Sequence, residues 1–315
     1  MVVEYRKFAD RFWTWRGYGI GYCAEGLAKN LDSPILILIH GFGASVGHWR
    51  KNVPVLAEHH RVYAIDLIGF GSSAQPKPNE LAYTFETWGQ QIVDFVREVV
   101  GDRAILVGNS IGAVVAMQAA ILAPDLITKT VLINCSLRLL QEQNQLAMPW
   151  FRRLGVKAVQ NLLGVRAIAK LFFDQVRQPK SVRQILAQAY IHSEAITDEL
   201  VEILLKPAQN PNAVDVFMAF VRYSQGPRPE DLLAILPCEA VVLWGDRDPW
   251  EPIALGRESF TKFACVKEFI DIPNAGHCPQ DEVPDVVNDI LLKVAAAQNL
   301  SSMLGSNPNL SGNWV

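Results

Sequence analysis

One stretch leaves this chain little freedom: Gly108-Asn109-Ser110-Ile111-Gly112, set between two apolar runs. Arg103 to Val107 reads as a buried strand, and the alanine-rich Val114 to Leu122 reads as a packed helix. A strand that turns at once into a helix bends sharply, and the bend forces its central residue into a strained backbone conformation. Residues two before and two after are crowded, so both must lack bulk, as Gly108 and Gly112 do. The Ser110 hydroxyl is then held above the sheet edge, near the N–H end of the following helix. This is the geometry of a nucleophile elbow. The pentapeptide alone is weak evidence; the strand before it and the helix after it give it weight.

The rest of the chain alternates in the same way. Trp13-Thr14-Trp15 and Ile20 to Ala24 read as a hairpin around Arg16-Gly17-Tyr18-Gly19. Ile35 to Ile39 is an unbroken apolar run, as expected of a parallel strand covered on both faces. Trp49 to Leu56 reads as a helix, Arg61 to Ile65 as a second buried strand. Thr84 is placed to cap a helix from about Phe85 to Val100, and Lys129 to Asn134 reads as a further strand. From Ser136 to Leu236 helical periodicity replaces strands, with Pro149, Pro179, Pro207, Pro211 and Pro227 as punctuation. Alternation resumes with strands at Glu239–Trp244 and Val266–Ile272, a helix at Ile253–Phe263 between them, and a last helix at Val283–Ala297. The expected architecture is α/β: a mostly parallel sheet with helices on both faces and an inserted helical cap. The expected division is core 1–135, cap 136–236, core 237–297 and a disordered tail 298–315. A cap over strand C-terminal ends would cover the ligand face of such a sheet.

Composition removes other classes. With 315 residues, half of them apolar and 19% charged, the chain can bury a large core. A net charge of −3 is no nucleic-acid footprint. Cys23, Cys135, Cys238, Cys265 and Cys278 are scattered and odd in number, so they read as small core residues rather than a disulfide framework or a zinc site. Met1 to Lys7 lacks the apolar run of a signal peptide, and no apolar run is long enough to span a bilayer. The expected setting is the cytoplasm.

A serine hydroxyl needs a base to take its proton, and the base needs a partner that fixes its tautomer. Ser110, Asp248 and His277 each follow a predicted strand, in the order nucleophile, acid, histidine. Among six histidines, His277 lies in a Gly-His turn at the same sheet edge as Ser110. His40 reads as structural, and His59, His60 and His192 are given no role. Asp248, further round the turn than Asp246, is the preferred acid; Asp66 reads as a turn stabiliser. The N–H groups of Ile111 and Phe42 are the expected oxyanion donors, the latter freed by Gly41 and Gly43. This chemistry requires no cofactor and no metal.

Together, His40-Gly41-Phe42-Gly43, Asp66-x-x-Gly69-x-Gly71-x-Ser73, Gly108-x-Ser110-x-Gly112, Gly245-x-x-Asp248 and Gly276-His277 resemble the α/β-hydrolase superfamily over about Trp13 to Ala297. Haloalkane dehalogenases and epoxide hydrolases carry Asp where this chain has Ser110. A narrower resemblance rests on Trp13-x-Trp15-x-Gly17-x-x-Ile20-x-Tyr22, Gly108-Asn109-Ser110-Ile111-Gly112, Trp244 to Pro252 and Gly276 to Glu282. These are similar to the pheophytinase and chlorophyll dephytylase group, with Ala113 where that group is expected to have Gly. The resemblance implies hydrolysis of the phytyl ester of pheophytin or chlorophyll by a serine esterase. A phytyl chain needs an apolar channel under the cap, and Trp150, Phe151, Phe172, Phe173, Phe217 and Phe220 are candidates for its lining or for the cap's own core. Arg152-Arg153 reads as a solvated charge pair or as a peripheral contact to a pigment-bearing membrane. The partner expected is a small apolar ester; oligomeric state is left open. Other substrates stay open too: another lipid or small ester, a carbon–carbon bond, or a cofactor-free perhydrolase reaction. A ligand receptor on the same fold is the alternative of another class.

Overall fold

The computed structural model describes residues 8–27, 33–137, 166–222 and 226–305. Eight strands form one sheet: β1 (Arg11–Trp15), β2 (Tyr18–Glu25), β3 (Ile35–Ile39), β4 (Arg61–Ile65), β5 (Ala104–Asn109), β6 (Ile127–Ile133), β7 (Glu239–Gly245) and β8 (Val266–Ile272). Their order is β1-β2-β4-β3-β5-β6-β7-β8. The hairpin β1–β2 joins antiparallel, and every pairing from β4 to β8 is parallel. The hairpin turn is tight, with Arg16 and Gly17 at positive φ, which suits the twist of two-residue connections.

The unbroken apolar strands are explained by two covered faces. Alternate residues of a strand point to opposite sides. Ile35, Ile37 and Ile39 enter one core with Tyr63, Leu106 and Trp244, while Leu36 and Leu38 enter the other with Val62, Val107 and Leu243. Helices close both. On the first face lie α2 (Phe85–Phe95) and α3 (Ile111–Leu122); on the second lie α1 (Val53–Leu56) and the start of the final helix. Thr84 does cap α2, accepting from Thr87 N–H.

Two helical expectations need correction. The segment Trp49–Leu56 is no single helix: Val46–Trp49 is a 3₁₀ turn and α1 is a separate piece with Pro54 in its first turn. A proline there fits only where a helix begins. The final helix also starts later and runs further than its periodicity suggests. Pro279–Glu282 forms α10, a short turn of its own, and α11 spans Pro284–Gly305, past Ala297. The stretch 298–305 is therefore helical rather than disordered; 306–315 lie outside the described residues.

Between β6 and β7 the described residues hold helices and no strand: α4 (Arg166–Val176), α5 (Pro179–Ala189), α6 (Asp198–Ala208), α7 (Ala213–Arg222) and α8 (Pro229–Leu233). After β7 comes α9 (Ile253–Phe260). The insertion has small cores of its own around Leu186, Leu200 and Val201 and around Ala169, Val214 and Met218. Chain order reverses about β3: β4 lies on one side of it and β5 on the other. The loops after β3 and β5 therefore part at a switch point, where open parallel sheets bind ligands.

Candidate active site

At the end of β5 the chain turns directly into α3, and Ser110 is the corner, with φ 56° and ψ −118°. A non-glycine residue there is strained and must be held by its surroundings. A Cβ on Gly108 would overlap the Gly112 carbonyl, and one on Gly112 would overlap the carbonyls of Ile39 and His40. The two glycines are thus required by space, one inside the elbow and one against the β3 loop. Backbone bonds complete the hold: Ser110 N–H donates to Ile133 O at 2.9 Å, and Ser110 O accepts from Ala113 N–H at 3.1 Å.

His277 sits in the turn after β8, buried to 4% exposure, and its Nδ1–H donates to Asp248 Oδ2 at 2.8 Å. Asp248 lies in the loop after β7 and is itself 6% exposed. Its carboxylate accepts three further hydrogen bonds: Oδ2 from Asn134 Nδ2 at 2.6 Å, and Oδ1 from the N–H groups of Trp250 and Glu251 at 2.8 and 3.0 Å. Asp246 is exposed, and its N–H is spent on Ile272 O. The histidine therefore faces Asp248 and not Asp246. Ser110, His277 and Phe42 all line one cavity of about 300 Å³. Trp250 flanks the imidazole, ring centroids 4.9 Å apart, and lines the same cavity.

The loop after β3 is set by His40. Its Nε2 accepts from Leu67 N–H at 3.0 Å, so the proton is on Nδ1, which donates to Gly41 O at 2.7 Å. Burial pushes this imidazole down to about 4, so it stays neutral. Among the described residues neither Phe42 N–H nor Ile111 N–H has a hydrogen-bond partner, which leaves both donors available. The Phe42 ring stacks on Phe220, centroids 4.2 Å apart, and meets Phe70 edge-on at 5.5 Å.

Asp66 binds Val46 N–H and Ser72 N–H at 2.7 and 2.6 Å, knitting the loops after β3 and β4. Burial pushes its carboxyl up to about 7. Of the aromatic candidates for the channel, Phe173 and Phe217 line the cavity. Phe220 instead packs on Phe42 and Trp88, and Phe172 is 46% exposed against Phe217. Trp150, Phe151, Arg152 and Arg153 lie outside the described residues.

Three residues that the sequence did not mark organise the site. Asn134, at φ 43° after β6, holds Asp248 and also accepts from Gly245 N–H. Asn109 Nδ2 donates to His277 O at 3.1 Å, tying the elbow to the histidine turn. Tyr190, from the cap, bridges His48 and Asp281 with bonds of 2.8 and 2.9 Å. An asparagine at positive φ beyond a strand is the only local signal any of them gives. Among the described residues no cluster of three His, Cys, Asp or Glu side chains is placed to hold a metal ion, and no helix is long and apolar enough to cross a membrane.

Residues 36–290 match the model of the alpha/beta hydrolase family. The chain belongs to that family. It is 27% identical over 297 residues to the chloroplastic pheophytinase of Arabidopsis thaliana, across 83% of this chain and 61% of that protein. The chain thus spans less than two thirds of that relative's length. It is 37% identical over 131 residues to the 2-hydroxy-6-oxo-6-(2'-aminophenyl)hexa-2,4-dienoic acid hydrolase of Metapseudomonas resinovorans, across 40% of this chain and 42% of that one. Among solved structures, a meta-cleavage product hydrolase from Pseudomonas fluorescens IP01 superposes with a TM-score of 0.71 at 19% identity, over 91% of this chain and 98% of that one. That likeness carries the fold only. By family the chain is an alpha/beta hydrolase, similar in sequence to a pheophytinase.

Proposed function

We propose that this alpha/beta hydrolase is a serine hydrolase of carboxylic esters, acting on phytyl esters of chlorophyll-type pigments. The observation that carries the chemistry is the buried 2.8 Å bond to Asp248 from His277, which lines the same cavity as Ser110. In this reading Ser110 Oγ attacks the ester carbonyl while His277 Nε2 takes its proton. Asp248 fixes the proton on Nδ1 and stabilises the imidazolium. The Phe42 and Ile111 N–H groups receive the oxyanion. As the intermediate collapses, His277 protonates the departing alcohol, and water then cleaves the acyl-enzyme by the same steps. Asp248, not Asp246, is the acid.

The substrate rests on two supports. One is the similarity to pheophytinase. The other is the cavity itself, of ligand size and walled largely by apolar cap residues such as Val176, Val182, Leu186, Val216 and Phe217. A long branched alcohol suits such walls. With that substrate goes the proposal that the protein meets pigment at a membrane surface as a peripheral partner.

The test is incubation with pheophytin a and chlorophyll a in detergent, beside a p-nitrophenyl ester series, with Ser110→Ala as control. Release of phytol that the variant lacks is the expected result. Ester turnover without phytol would retain the triad and replace the substrate. Carbon–carbon bond hydrolysis is the second reading, supported by the partial similarity to the dienoic acid hydrolase, and a ring-cleavage product added to the same assay tests it.

A further inference from the structure

The end of α5 is bonded directly to the turn that carries His277. Ile191 N–H and His192 N–H both donate to Glu282 Oε2, at 2.6 and 3.1 Å. The other oxygen, Oε1, accepts from Gly276 N–H at 2.8 Å, one residue before the histidine. His277 N–H donates to Ala189 O at 2.8 Å, and His192 Nε2 meets Asn274 O at the same distance. Tyr190 OH donates to Asp281 Oδ2 at 2.9 Å. A Cβ on Gly276 would overlap the Ala189 carbonyl, so the two segments are in backbone contact. Asp281 is anchored in turn by Arg50 and Lys51, at 2.9 and 3.0 Å.

We infer that Glu282 is a positioning residue: its carboxylate binds the His277 turn and the cap segment Tyr190–His192 into one unit, so that the seat of the cap sets the position of the imidazole. A carboxylate offers acceptors in two directions and no donor, which is what three converging N–H groups require. An amide in its place turns one acceptor into a donor aimed at an N–H, and leaves a backbone donor unpaired. The cap at this end is therefore part of the catalytic frame, not a lid over it. A displacement of the base by a fraction of its hydrogen-bond reach lowers the chemical step and spares binding.

The kinetic part of this inference rests on the esterase reading; the mechanical part does not. The experiment measures amide hydrogen exchange and p-nitrophenyl ester kinetics on the same preparations of wild type and Glu282→Gln. Exchange is expected to rise at least about tenfold in peptides covering 187–192 and 274–278 together, with kcat down on the order of tenfold or more and KM within about twofold. Exchange that rises in only one of the two segments, or in neither, overturns the inference. So does joint loss of protection with kcat unchanged. Should Glu282→Gln not fold, Glu282→Asp keeps the acceptors on a shorter arm, and the same pair of readouts applies with smaller effects. Should the wild type turn over no ester, the esterase reading falls, while the exchange measurement still decides whether the two segments move as one.

Discussion

Asn134 Nδ2 donates to Asp248 Oδ2 at 2.6 Å, the same oxygen that receives His277 Nδ1–H. Asn134 Oδ1 meanwhile accepts from Gly245 N–H at 3.1 Å, and a second bond from Nδ2 reaches Gly276 O at 3.3 Å. One side chain beyond β6 thus touches the end of β7, Asp248 and the histidine turn. It fixes the carboxylate plane against which the imidazole is aligned.

Asn134→Ala removes that hold and leaves the Asp248 oxygen one donor short. A hydrogen bond to a charged group contributes about 1.5–3 kcal/mol, so kcat is expected to fall about tenfold to a hundredfold. Binding is hardly touched, since Asn134 is fully buried behind Asp248 and His277. Steady-state kinetics on a p-nitrophenyl ester read this directly. An unchanged kcat would show that the Trp250 and Glu251 N–H groups suffice.

Much of this site is legible in sequence because the fold displays it one strand end at a time. Ser110, Asp248 and His277 follow β5, β7 and β8; β5 and β7 are apolar runs, while β8, Val266–Ile272, intersperses Lys267, Glu268 and Asp271 among its apolar residues. Phe42 follows β3 for the same reason. The residues that align the proposed triad are not legible. Asn134 meets Asp248 across 114 positions and Asn109 meets His277 across 168. Neither pair has a periodic or local signature, because their contact exists only once the parallel strands are side by side. Trp49–Leu56 misleads in the opposite way, since its apolar spacing persists through a break that Pro54 imposes.

Asp248→Asn separates the two aspartates of the β7 loop. An amide at Asp248 presents a donor to Nδ1, so the imidazole turns to its other tautomer and loses its basic Nε2. The expected loss in kcat is on the order of 10⁴-fold, with the fold intact. Asp246→Asn, at an exposed position, is expected to change kcat by less than about twofold. Equal losses in the two variants would refute the assignment of the acid.

Cavity length is set in part by Phe217, which lines the wall and packs against Phe42 and Phe173 at 6.3 and 5.5 Å. Phe217→Trp adds a second ring to that wall. Long-chain p-nitrophenyl esters are expected to lose about tenfold in kcat/KM, a loss of about 1.4 kcal/mol, while the acetate stays within about twofold. A uniform loss across chain lengths would mean that the chain does not pass Phe217.

Stability should depend on pH through three buried groups and the part-buried Glu251, with opposing signs. Burial holds His40 and His48 down to about 4 from an ordinary 6.5. The unfolded chain therefore binds more protons at these sites between about 4 and 6.5, and stability rises with pH there. Burial pushes Asp66 up to about 7 from 3.8, and burial aided by the Asp248 charge pushes Glu251 up to about 8 from 4.5. Here the folded chain keeps protons that the unfolded chain has released, so stability falls as pH rises through that window. The two pairs offset each other between about 4.5 and 6.5. Above 6.5 the histidines are neutral in both states and only the carboxyl contribution remains, so stability declines from about 6.5 to about 8. Urea midpoints at pH 5.5 and 6.5 are expected to be similar, with a lower midpoint at pH 8.5. Glu251→Gln cannot ionise and should shrink that drop without abolishing it, because Asp66 still titrates. A wild-type midpoint that climbs between pH 6.5 and 8.5 would contradict the burial of both carboxyls.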